Sequence, residues 1–83
     1  MWLEPLGVSK SPSQQLRQVF ARNVRLARNA AGVSQEELAS QAAISQTYLS
    51  QVESATRAVS IDVIERLASA LKISVSELMT EHL

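Results

Sequence analysis

The chain has no cysteine, which excludes a disulfide framework and a thiolate zinc site and suits a reducing compartment. It has one histidine, His82, near the end of the sequence and without ligand partners around it. It also lacks a glycine-rich phosphate loop and an acid pair with a pocket to sit in. An enzyme is therefore not expected, and no catalytic residue, cofactor or metal is assigned. No apolar run approaches the length of a membrane span. The opening, MWLEPLGVSK, lacks the basic segment and apolar stretch of a signal peptide. These absences predict a cytoplasmic protein with no membrane contact. No segment alternates like a strand, and there is neither internal repeat nor low-complexity tract.

What is present is 83 residues, 46% of them hydrophobic, enough for one folded domain with a modest core. Association of copies is a natural source of further stability at this size. The formal net charge is zero, but its distribution is uneven. Residues 10–28 hold Lys10, Arg17, Arg22, Arg25 and Arg28 with no acid. One basic segment in a neutral chain can make a basic face. From charge alone the solvated surface is favoured, and Arg17, Arg22 and Arg25 are read that way.

Local signals predict five helices. Residues 1–10, with Pro5 and Gly7, read as an N-terminal arm, and residues 11–83 as the domain. Ser11, Pro12 and Gln14 make a helix start. Leu16, Phe20, Val24, Ala27 and Ala31 then share one face, and Gly32 can end the helix left-handed. Ser34 with Glu37 is a capping box opening a second helix with Leu38, Ala39 and Ala42 inward. Ser45 caps a third, with Leu49 and Val52 inward, and Ser60 a fourth, with Ile61, Ile64, Leu67, Ala68 and Leu71 on one side. Ser74 with Glu77 opens a short fifth. Glu36 and Glu37 suit the positive end of the second helix and need no catalytic role.

Helices of about eight residues are unstable alone, so the second and third must be held by their neighbours. Ala39 lets them cross closely, and Ile44 plugs the angle between them. Gln46, Thr47 and Ser50 then lie away from the Leu49/Val52 face. Glutamine can bond adenine bidentately, and a threonine methyl can pack on that of thymine. The start of the second helix, beside Gln35, offers N–H groups to a phosphate oxygen. One helix end gripping backbone and one polar helix reading the groove make a docking device for double-stranded DNA. Tyr48 has two roles open: packing on the second helix, or a hydroxyl reaching phosphate. Gln51 is read as a solvated side chain.

Residues 34–53, SQEELASQAAISQTYLSQVE, resemble the helix-turn-helix of the phage-repressor (Xre-like) family. The family's leucine falls on Leu38, its small residue on Ala39, its turn hydrophobe on Ile44 and its core positions on Leu49 and Val52. The likeness extends over VRLARNAAGVSQ before this stretch and SIDVIERLASALKISVSELM after it. It implies an all-α, λ-repressor-like five-helix bundle. It also implies a phosphate contact at Gln35, base contacts at Gln46, Thr47 and Ser50, and a phosphate contact at Arg57. It further implies a pair between Arg28 and Glu53 that turns Arg28 toward phosphate. The chain departs from the family at Ala43, where the turn usually holds glycine, and at Ala55-Thr56-Arg57, with one charge where several are usual.

The third helix contains no Lys or Arg, so one subunit should bind weakly, since counterion release supplies most sequence-independent affinity. A homodimer is therefore expected, on a pseudo-palindromic operator with reading helices about 34 Å apart. Its expected surface is Val63, Ile73, Val75, Leu78 and Met79, with Leu83 as a further candidate. The size resembles that of restriction–modification controller proteins. The rival reading is a protein-interaction module, or an antitoxin that also binds a toxin.

Overall fold

Among the described residues a serine stands ahead of each of four helices, because a hydroxyl one residue before a helix satisfies an N–H that has no partner inside it. The computed structural model describes residues 12–82, with side chains from residue 15. The arm of residues 1–10, the Ser11 and Gln14 start signals, and Leu83 lie outside the described residues or side chains. Helices run α1 Pro12–Ala31, α2 Gln35–Ala42, α3 Gln46–Glu53, α4 Ile61–Leu71 and α5 Val75–Met79. No strand occurs among the described residues. Ser34, Ser45, Ser60 and Ser74 each accept from the N–H three residues on. Ser34–Glu37 and Ser74–Glu77 are complete capping boxes.

Left-handed residues close the helix ends. Gly32 does so after α1, Ala43 after α2 and Lys72 after α4, while Ala55 turns the chain just beyond α3. Beyond each, an N–H reaches back to a carbonyl of the helix, as with Ile44 N–H to Ala39 O at 2.9 Å. Only Gly32 is free of the Cβ penalty; in the other three the penalty is about 1–2 kcal/mol each. The turn between α2 and α3 therefore keeps its geometry with Ala43 where glycine is usual.

The core is made where the helices cross. Phe20 and Val24 of α1 meet Leu38, Ala39 and Ala42 of α2, Leu49 and Val52 of α3, and the inner face of α4. Three sequence expectations are corrected here. The inward stripe of α4 runs Val63, Leu67 and Leu71 at four-residue spacing, so Ile61 is rotated out and 75% exposed. Leu16 and Ala31, expected inward on α1, are exposed, and Ala21 and Asn23 are buried instead. Val63 and Leu78, expected on a dimer surface, are 5% and 0% exposed and belong to the intramolecular core, because α5 folds back onto α1. Of the expected dimer residues, Val75 is exposed, and Ile73 and Met79 pack half-buried at the core's edge.

Candidate nucleic-acid interface

The first turns of α2 and α3 open on the same side of the molecule. Gln35, Gln46, Thr47, Ser50 and Gln51 line one shallow concavity of about 280 Å³. Gln46, Thr47 and Ser50 are exposed. Their side chains bond no other described residue. Ser45 takes up the Tyr48 N–H at 3.0 Å and Ser34 the Glu37 N–H at 3.0 Å, so both helices start firmly while their outer side chains stay free. Leu49 and Val52 are fully buried on the opposite face of α3, which turns this polar edge outward.

The other end of α3 is closed. Glu53 is 3% exposed and gathers three side chains from two helices. Arg28 donates through Nε to Oε2 at 2.8 Å and through Nη2 to Oε1 at 3.1 Å. Gln35 Nε2 donates to the same Oε1 at 3.1 Å. Arg25 donates to the Glu53 main-chain carbonyl, satisfying a helix-end acceptor. Arg28 also donates to Val33 O at 3.1 Å, and its bond to Glu53 raises its pKa above the ordinary arginine value. The expected Arg28–Glu53 pair is thus formed, but three donor contacts of Arg28 lie within the protein, so it faces Glu53 and not outward. The Gln35 amide ties the start of α2 to the end of α3.

Beyond α3, Arg57 lies 4.9 Å from the centre of the Tyr48 ring, and Nη1 donates to Gln51 Oε1 at 2.9 Å. Tyr48 packs half-buried against the core, which accounts for its ring; its place beneath Arg57 was not foreseen.

Sequence reasoning missed three polar residues. Arg25 and Gln51 were read as solvated, and both hold α3 or the loop after it. Asn23 is 7% exposed and donates from Nδ2 to Leu78 O at 2.8 Å and Thr80 O at 2.8 Å, closing the end of α5. An asparagine on the same helical face as Phe20 and Val24 was the available signal for it. Among the described residues no group of His, Cys, Asp and Glu could hold a metal, and no helix is long and apolar enough to cross a membrane.

Comparison with known proteins places this geometry. The HTH_3 helix-turn-helix family matches residues 24–78. A hypothetical transcription factor of Neisseria meningitidis serogroup B is 42% identical over 80% of the chain, which spans only 62% of that protein. Control protein C.SmaI of Serratia marcescens is 38% identical, over 81% of this chain and 80% of that one. The crystal structure of the restriction–modification controller protein C.AhdI from Aeromonas hydrophila superposes with a TM-score of 0.73 at 39% identity, covering 75% of this chain and 94% of that one. The chain belongs to the HTH_3 helix-turn-helix family of DNA-binding transcription regulators.

Proposed function

We propose that two copies of the chain bind one pseudo-palindromic operator and regulate transcription by occupying it, in the manner of a restriction–modification controller protein. The observation that carries this reading is the free polar edge of α3. Gln46, Thr47 and Ser50 share a concavity with Gln35 and have no bond of their own, while every other part of α3 is buried or bonded. Gln46, Thr47 and Ser50 read base edges; the α2 start with Gln35, Arg57 and the hydroxyl of Tyr48 take backbone phosphate. Arg28 serves as an orienting residue through Glu53. The dimer surface rests on exposed Val75 with Ile73 and Met79 beside it. The named control proteins among the relatives support the narrower role. The protein acts by binding, not by catalysis.

Selection of bound duplexes from a random pool tests the reading. The expected result is an inverted repeat with half-site centres about 10 base pairs, or a multiple of that, apart, and an affinity falling by several log units per log unit of salt. Failure to retain any duplex at low salt would leave a protein-interaction module as the surviving account.

A further inference from the structure

Arg57 is the one cation in the sequence between Arg28 and Arg66, and it lies just beyond the end of α3. The loop that bears it is wound around a single residue. The Gln51 carbonyl accepts from the Thr56 N–H at 3.0 Å, from Ser54 Oγ at 3.1 Å and from Thr56 Oγ1 at 3.2 Å. Ser54 Oγ and Thr56 Oγ1 are themselves 3.0 Å apart, and Ala55, at φ 62°, turns the chain back between them. The same residue's side chain holds the head of the arginine, Nη1 to Oε1 at 2.9 Å. A guanidinium only donates, so the Gln51 amide must present Oε1, not its NH₂, to Arg57. The guanidinium also lies over the Tyr48 ring, 4.9 Å from its centre.

We infer that Gln51 is a positioning residue which, with the Tyr48 ring, holds Arg57 in the free protein as a preset cation for a DNA phosphate at the edge of the reading face. The inference rests on the DNA-binding reading above. An exposed arginine normally loses rotamer freedom when it binds; here that freedom is already lost on folding, so less affinity is forfeited at docking. Four other N–H groups of Arg57 stay available to a phosphate while Nη1 keeps its bond to Gln51.

Two measurements test this. In the free protein, NMR should show Arg57 side-chain protons shifted by the Tyr48 ring current, and Gln51→Ala should return them to values of an unheld arginine. On random duplex across salt, Gln51→Ala should bind roughly three- to tenfold more weakly. Arg57→Ala should bind more weakly still and lower the salt slope by about one unit. The double variant should match Arg57→Ala alone. Losses that multiply would overturn the inference, since Gln51 would then act on DNA independently; wild-type affinity in Gln51→Ala would overturn it too. If Gln51→Ala unfolds in a urea titration, Gln51→Met, which keeps the stem and removes the acceptor for Arg57, replaces it, with the same weakening expected and the same masking by Arg57→Ala. A wild-type protein that binds no duplex defeats the DNA reading itself, an outcome distinct from a neutral Gln51→Ala in a protein that binds.

Discussion

The two ends of α3 are opposites. At its C-terminal end Glu53 is almost fully buried, and Arg25, Arg28 and Gln35 converge on it. At its N-terminal end the exposed side chains of Gln46 and Thr47 bond no other described residue. One helix of eight residues has a locked terminus and an open one. The open edge takes its tilt from the buried Leu49 and Val52 and from the bonds that hold the far end of the same short helix.

Breaking the locked end should have the largest effect. Arg28→Ala leaves the 3%-exposed Glu53 carboxylate with only the Gln35 amide and the loss should reach about 3–5 kcal/mol, read from urea unfolding. Glu53→Gln keeps an acceptor for Arg28 and should lose less. Changing the open end should leave stability alone. Gln46→Ala should unfold at the same urea midpoint yet lose about 1–3 kcal/mol on the selected operator, with relaxed preference at one base pair. An unchanged binding profile would move the reading register off Gln46.

How much of this contrast was legible follows from chain distance. The four serine caps were readable because each hydroxyl is satisfied within its own first turn. The outward set Gln46, Thr47 and Ser50 was readable from helical period against Leu49 and Val52. The Arg28–Glu53 pair came from family resemblance, since nothing local couples residues so far apart. The helical face of Asn23 signals its burial, but its Leu78 and Thr80 carbonyl partners, like the Glu53 carbonyl that Arg25 meets, leave no trace in the sequence. These acceptors lie 55, 57 and 28 residues away, and a main-chain acceptor has no sequence signature. Val63 and Leu78 were misplaced because apolar residues on a short helix read alike whether they face a core or a partner.

Two smaller changes sharpen the comparison. Ala43 sits left-handed in the turn that sets the angle between α2 and α3. Ala43→Gly removes the Cβ penalty but frees the unfolded chain, so a net gain of about 0.5 kcal/mol is expected, read as a raised melting temperature. The smallest effect concerns pH. The Ser34 N–H, and then its hydroxyl, hold the Glu37 carboxyl below its usual value. A depressed carboxylate stabilises the fold above its unfolded pKa and ceases to do so as pH falls through the folded one. The stability gap between wild type and Glu37→Ala should therefore be widest near neutrality and close in acid.

Asn23 gives α1 a second duty. Its amide grips the end of α5, and less than two turns further along, Arg25 and Arg28 grip the end of α3. One rigid rod thus joins the region where copies would meet to the helix that would enter the groove. Two such molecules meeting back to back, as proposed, would form a caliper whose jaws open to a single width, and the spacing between operator half-sites would then be dictated by protein geometry.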